Sequence, residues 1–144
     1  MKRTARAVWK GPGMEGSGTL ATQSGVFKDQ PYSIKTRFEN EDGKLGTNPE
    51  ELIAAAHAGC FAMALSVGLG KEGHTPDTLE VDAALSLDKQ ENGWAITKIV
   101  LTLDATVSGI SEDEFDKIAQ GSKAGCPVSK VLNCDIELNY TLNG

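Results

Sequence analysis

The sequence contains no run of five or more basic residues, and its 20 acidic residues outnumber its 14 basic residues, which leaves a formal charge of −6. Because contact with a phosphate backbone depends on clustered Lys and Arg, this balance argues against nucleic acid as a partner. The glycine-rich loops of nucleotide enzymes and the Gly-x-Ser-x-Gly elbow of serine hydrolases are also missing. The sequence therefore favours neither a nucleotide-dependent enzyme nor a usual serine hydrolase.

The chain also lacks clear signals for export or for a membrane. Basic residues occur before Trp9, but no apolar stretch of about 7–15 residues follows them, as secretion requires. The segment from Leu52 to Leu69 is uncharged over 18 residues, but it is rich in Ala and has His57 inside it, so a buried core helix is favoured over a membrane span. We expect a cytoplasmic protein whose thiols stay reduced.

Cysteine is scarce, and three cysteines in 144 residues do not describe a disulfide framework in a reducing compartment. Cys60 and Cys126 each follow an Ala-Gly dipeptide, which leaves room beside the thiol for a ligand. Cys126 also precedes Pro127 at a predicted helix start, a position that lowers the pKa of a cysteine. A redox or catalytic pair and two small buried hydrophobic residues both fit these features. Cys134 lies on the apolar face of the last predicted strand, which favours a structural role.

The apolar periodicity predicts one domain, residues 1–144, with an α+β arrangement and a mostly antiparallel sheet. A long helix begins at the N-cap Asn48 and ends near Gly70. A hairpin at Asn92-Gly93 and a shorter amphipathic helix after Ser111 follow it. The predicted strands cover residues 4–9, 18–22, 32–38, 79–88, 94–107 and 134–140.

The long helix is apolar on every side, so a monomer would leave part of its apolar surface uncovered. One small sheet can cover only one face of such a helix, so the other face needs a second layer. We therefore predict an obligate homodimer in which two long helices are sandwiched between sheets.

Peroxide reduction by a thiol requires a thiolate, a group that polarises the peroxide, and a route out of the sulfenic acid. Arg37, on the polar face of the predicted strand 32–38, is a candidate because a guanidinium stabilises a thiolate and hydrogen-bonds a peroxide oxygen. Glu50 is available to orient it. An ordinary solvated arginine is the alternative interpretation of Arg37.

A metal site is the main competing hypothesis. His57 and Cys60 are three residues apart on one predicted helix, so both could face one zinc ion, and Cys126 could add a third ligand. The short Cys-x2-Cys or His-x3-His clusters typical of structural zinc sites are missing, which makes this hypothesis the weaker one.

Two cysteine segments together resemble the OsmC/Ohr family of organic hydroperoxide peroxidases. They are residues 46–61, GTNPEELIAAAHAGCF, and residues 123–129, KAGCPVS. Residues 22–26, 31–32 and 36–38 extend the similarity and favour the OsmC (osmotically inducible) branch. The resemblance implies an OsmC-like fold, with mostly antiparallel sheets wrapped around long central helices in an intertwined homodimer.

The resemblance also implies a mechanism. Cys60 attacks an organic hydroperoxide and becomes a sulfenic acid, Cys126 condenses with it, and Arg37 and Glu50 form the family's charged pair. Lipoylated proteins or dihydrolipoamide regenerate the dithiol, so no metal, flavin or haem cofactor is expected. A non-enzymatic stress-induced or ligand-binding dimer of the same fold is the alternative function.

The spacing of these residues predicts that two subunits share the site. Glu50 lies ten residues before Cys60, so the two are ~15 Å apart along one straight helix. Ten steps of 100° also turn Glu50 away from the face of Cys60. If Arg37 contacts both residues, as the resemblance implies, a pair of packed helices from two chains supplies both partners more easily than one straight helix does. A kink at the helix start or a long reach of Arg37 within one chain is the alternative.

Overall fold

The computed structural model describes residues 1–144 and divides the chain into two compact units, Met1–Leu52 and Ile53–Gly144. The first unit contains a three-stranded antiparallel sheet, a five-residue helix α1 and the start of helix α2. Strand order in this sheet is β1-β2-β3. The elements are β1 (Ala5–Lys10), β2 (Ser17–Thr22), β3 (Gln30–Ser33), α1 (Ile34–Phe38) and α2 (Pro49–Lys71), the last of which continues into the second unit.

The predicted strand 32–38 is wrong beyond Ser33. The Ser33 hydroxyl accepts from the Thr36 amide at 3.2 Å, and the Thr36 hydroxyl accepts from the Ser33 amide at 2.9 Å. This reciprocal capping box starts helix α1 and offers the backbone an alternative to a sheet ladder. Arg37 therefore lies on a short helix and not on the polar face of a strand.

Helix α2 begins and ends close to the predicted residues. The side-chain oxygen of Asn48 accepts from the Glu51 amide at 2.8 Å, Pro49 is the first helical residue, and Glu50 and Glu51 occupy the first turn. Each of these residues stabilises a helix N-terminus, by capping, by a preset φ or by its charge. The helix ends at Lys71, and Gly73 follows with a φ of 87°.

The second unit contains a three-stranded mixed sheet, β4 (Thr78–Gln90), β5 (Gly93–Thr106) and β6 (Asp135–Asn143), in that order. β4 and β5 are antiparallel around a tight turn, which confirms the predicted hairpin. β6 is parallel to β5, because α3 (Glu112–Gly125) and α4 (Pro127–Val131) provide the long crossover that a parallel pair needs.

The core of the second unit lies between this sheet, α2 and α3. Helix α2 contributes one row of side chains at four-residue spacing, and β5 contributes every second residue, as the periodicities of helix and strand require. The buried apolar residues are Phe61, Leu65 and Leu69 of α2, Phe115 and Ala119 of α3, and Ile99, Leu101, Leu103, Ala105 and Val107 in and just after β5.

The opposite face of α2 is apolar and uncovered. Met63 is 73% exposed and Val67 is 59% exposed. The helix is long and apolar enough to cross a membrane by length and composition alone, but core helices of soluble proteins share these properties. The prediction that α2 needs cover on a second side agrees with this exposed face.

We expect Leu101→Ala to lower the free energy of unfolding by about 2–5 kcal/mol, because the central strand loses a fully buried side chain and a cavity remains. Thr102→Ala, the next residue with an exposed side chain, should cost less than about 1 kcal/mol. Urea unfolding of both variants measures the difference. Equal losses would contradict the assignment of the core to this face of β5.

Candidate active site

Two free thiols meet inside the second unit. The Sγ atoms of Cys60 and Cys126 are 2.8 Å apart, although 66 residues separate them in sequence. A disulfide bond measures about 2.05 Å, so a shortening of about 0.8 Å would join the two sulfurs. The prediction that these cysteines are neighbours in space is confirmed.

A break between two helices brings Cys126 to this position. Cys126 ends α3, where its amide donates to the Ser122 carbonyl at 2.9 Å, and it is also the N-cap of α4. Its extended backbone, with φ −60° and ψ 123°, is the conformation that the following Pro127 imposes. Pro127 then starts α4, as predicted.

Only one thiol of the pair is open to a substrate. Cys60 is half-buried and lines a groove of about 1070 Å³, whereas Cys126 is fully buried and does not line it. Gly59 and Gly125 also line the groove, and a Cβ added to either would meet nothing within 4 Å. The expected space beside the Ala-Gly-Cys segments is therefore present.

Most of the groove is apolar. Its lining includes the apolar residues Ala55, Met63, Val67 and Ile118 and the charged residues Lys71, Glu72, Glu114 and Lys117. Apolar walls with few polar groups suit an alkyl chain better than a small polar molecule. Of the two thiols, a substrate in the groove can contact only that of Cys60.

The two thiols differ in their tendency to ionise. Burial acts against ionisation of Cys126, but the Cys60 thiol and the amide and hydroxyl of Ser129 favour its thiolate and lower the pKa of Cys126 below its usual value. No close N-cap hydrogen bond reaches the Cys126 sulfur, so the nearby amides act at longer range. Burial and the hydrogen bond with Cys126 raise the pKa of Cys60. The two thiols share a hydrogen bond, so the ionisation of one depends on the state of the other.

Arg37 and Glu50 form a second pair, within the first unit. Arg37 Nε donates to Glu50 Oε2 at 3.1 Å, and Arg37 Nη2 donates to Glu50 Oε1 at 2.6 Å. This bidentate geometry fixes the plane of the guanidinium. The guanidinium also stacks over the Phe38 ring, 4.9 Å from its centroid, and keeps 32% of its side chain exposed. The carboxylate predicted to orient Arg37 is thus in contact with it.

The structure brings the four predicted residues together as two pairs, one in each unit. It also shows a contact that the sequence did not predict. His57 is fully buried, and its Nε2 lies 2.8 Å from the Ser129 hydroxyl, while its Nδ1 has no partner. The metal hypothesis used His57 as a zinc ligand, but the structure contains no group of three or more His, Cys, Asp or Glu side chains placed to hold a metal.

Cys134 lies apart from this chemistry. It immediately precedes β6, is half-buried and packs against the core of the second unit. Burial, and next the charge of Asp135, raise the pKa of its thiol. Its predicted place against the apolar core is confirmed.

Comparisons with known proteins agree with the fold. Residues 41–141 match the family described as OsmC-like protein. The chain is 52% identical to peroxiredoxin OsmC of Escherichia coli K12 over 97% of this chain and 96% of that protein. The crystal structure of the organic hydroperoxide resistance protein OhrB of Bacillus subtilis has a TM-score of 0.69 at 26% identity, covering 96% of this chain and 98% of that chain.

A second solved structure shows the same fold at lower identity. An OsmC-like protein of unknown function from Vibrio cholerae has a TM-score of 0.78 at 17% identity, covering 98% of this chain and 99% of that chain. The family match covers well over half of the sequence, and the identity to the Escherichia coli protein extends along nearly all of it. The chain belongs to the OsmC family.

Proposed function

We propose that this protein is a thiol-dependent peroxidase that reduces organic hydroperoxides, and hydrogen peroxide more weakly, and so protects against oxidative stress. The observation that carries the proposal is the pair of free thiols 2.8 Å apart, of which only Cys60 opens into an apolar groove. The names of the relatives support it, since they describe a peroxiredoxin and organic hydroperoxide resistance proteins.

The reaction has two steps in this proposal. The Cys60 sulfur attacks the peroxide, the O–O bond breaks, and an alcohol leaves while Cys60 becomes a sulfenic acid. The Cys126 sulfur then attacks the sulfenic sulfur, the S–S bond forms, and the oxygen leaves as water. The peroxide gains two electrons, and a dithiol reductant returns them to the protein when it reduces the disulfide.

Arg37 supplies what the thiol pair lacks. Because burial raises the pKa of Cys60, attack by Cys60 requires a cation that favours its thiolate. A guanidinium held by Glu50 stays charged and can also hydrogen-bond the peroxide. We assign Arg37 to these two functions and Glu50 to its orientation.

A second copy of the chain is the proposed cover for the exposed face of α2. Met63 and Val67 leave an apolar surface that a homodimer would bury, so the second copy would also close the part of the groove that these two residues line. In the proposed intertwined dimer, Arg37 and Glu50 of one subunit serve Cys60 of the other.

The proposed reductant is a lipoylated protein or dihydrolipoamide, and the proposed compartment is the cytoplasm. The two thiols of dihydrolipoamide form a cyclic disulfide when they reduce a protein disulfide, so one molecule delivers both electrons in one encounter. The family resemblance supports this class of reductant. No bound metal, flavin or haem takes part in the proposed reaction.

The test of the function is a comparison of peroxides. With dihydrolipoamide as reductant, kcat/KM for cumene hydroperoxide should exceed that for hydrogen peroxide by at least about tenfold, because apolar groups bound in the groove add roughly 10- to 200-fold of discrimination each. Cys60→Ser supplies the background rate. Equal efficiency for the two peroxides would contradict the assignment of the groove to an alkyl substrate.

A further inference from the structure

His57 is a buried titratable residue that the two-step reaction does not use. It lies on the core-facing row of α2, with no exposed surface, and its only hydrogen-bond partner is the Ser129 hydroxyl, 2.8 Å from Nε2. Ser129 is in α4, three residues after Cys126, where its hydroxyl helps to lower the pKa of the Cys126 thiol. The first turn of α4, which carries Ser129 and begins at the cap residue Cys126, thus lies between two contacts inside the second unit, His57 with Ser129 and Cys126 with Cys60.

The position of the proton on His57 decides the direction of its hydrogen bond with Ser129. Burial lowers the pKa of His57, so the imidazole is neutral and carries one N–H. With the proton on Nε2, the ring donates to the Ser129 oxygen and the hydroxyl proton is free to point at Cys126. With the proton on Nδ1, a buried donor would lack a partner and the Ser129 hydroxyl would turn to Nε2. Buried N–H groups without a partner are rarer than unpaired acceptors, which favours the first arrangement.

We propose that Ser129 is a hydrogen-bond donor to the Cys126 thiolate in the resolving step, and that His57 is the positioning residue that aims the Ser129 hydroxyl. The inference rests on the proposed peroxidase function. The Cys126 proton leaves first, and the Ser129 hydroxyl stabilises the charge that remains on the sulfur. The sulfur lone pair then attacks the Cys60 sulfenic acid, the S–O bond breaks, and the departing hydroxide takes up the released proton as water.

This role has an effect that a purely structural hydrogen bond would not have. A donor to Cys126 favours the second step but draws charge away from Cys60, so it does not help the first step. Loss of the donor should slow disulfide formation and leave sulfenic acid formation unchanged or slightly faster. A damaged core would slow both steps together.

The experiment is a single turnover with cumene hydroperoxide, in which stopped-flow fluorescence and quenched mass spectrometry follow Cys60 oxidation and disulfide formation separately. Ser129→Ala should slow disulfide formation roughly 3- to 10-fold. A hydrogen bond to a charged group changes the ionisation equilibrium of the Cys126 thiol about 10- to 100-fold. About half of that change, on a logarithmic scale, appears in the rate, because a thiolate of lower pKa is also a weaker nucleophile. The sulfinic acid formed at Cys60 should rise in the same variant. Ser129→Thr keeps the hydroxyl and should restore the rate to within about twofold of wild type.

His57→Phe should resemble Ser129→Ala, and His57→Gln, which keeps a side-chain N–H, should restore most of the rate. If His57→Phe fails to fold, the Ser129 pair alone decides the matter. Ser108→Ala removes a hydroxyl from an exposed loop and is the control. Disulfide formation at the wild-type rate in Ser129→Ala, an equal slowing of both steps, or no rescue by Ser129→Thr would each overturn the proposal. Absence of any sulfenic acid in the wild-type protein would instead contradict the proposed function itself.

Discussion

Cys60→Ser should reduce peroxidase turnover by roughly three orders of magnitude or more, to the background rate, because neither of the other two thiols of this protein can replace Cys60 as the nucleophile. The fully buried Cys126 does not line the groove, and Cys134 packs against the core. Peroxide consumption with dihydrolipoamide measures the loss. Near-normal turnover in this variant would show that Cys60 is not the attacking residue.

Cys126→Ser should separate the two steps. Cys60 should still consume one equivalent of hydroperoxide, but the sulfenic acid has no partner 2.8 Å away and should persist or oxidise further to sulfinic acid. A dimedone-type label and intact-mass measurement detect both species. Cys134→Ser is the matched control and should leave turnover within about twofold of wild type. Normal turnover of Cys126→Ser with a dithiol reductant would remove Cys126 from the resolving role.

Arg37→Ala has the second largest expected effect. Loss of the guanidinium should lower kcat/KM by about 100- to 1,000-fold, the usual cost of removing a preorganised charge-stabilising donor. Arg37→Lys keeps the charge but loses the bidentate contact with Glu50, so an intermediate activity is expected. Lys35→Ala removes an exposed cation from the same short helix and should have little effect. Equal activities of Arg37→Ala and Lys35→Ala would contradict the role of Arg37.

Mixing subunits tests whether Arg37 and Cys60 act across the proposed dimer. Cys60→Ser and Arg37→Ala subunits are each inactive by these predictions. If subunits share the site, a heterodimer regains one working site out of two, formed by the intact Cys60 and the intact Arg37 from opposite chains. Verified heterodimers without activity would instead support a site built within one chain.

Much of the fold was predictable because its signals are local or strictly periodic. The N-cap Asn48 with Pro49 located the start of α2, and the alternation around Ile99 and Leu101 located β5 and its buried face. The strand predicted after Ser33 was wrong, because the alternation of apolar and polar residues there is short. The reciprocal hydrogen bonds between Ser33 and Thr36 start a helix instead. Parallel pairing of β6 depended on where the α3–α4 crossover returned the chain, which no local pattern contains.

The candidate site was also predictable only in part. Cys60 and Cys126 were identifiable because each follows an Ala-Gly dipeptide, and the family resemblance assigned both of them to one reaction. The contact between His57 and Ser129 was not predictable, because 72 residues separate them and each has an ordinary structural interpretation by itself. Nor could the sequence show that the pKa of Cys126 is lowered and that of Cys60 raised, since these shifts depend on burial, on the contact between the thiols and on the amides and hydroxyl of α4.

The most direct test of the two-cysteine mechanism is a thiol count before and after one equivalent of cumene hydroperoxide per chain. The reduced protein carries three thiols, and the account predicts that one remains, that of Cys134, with a peptide-mapped disulfide between Cys60 and Cys126. Dihydrolipoamide should then restore all three. Retention of all three thiols after treatment would contradict the account and favour a non-enzymatic binding protein, and loss of thiols without this disulfide would contradict the resolving step.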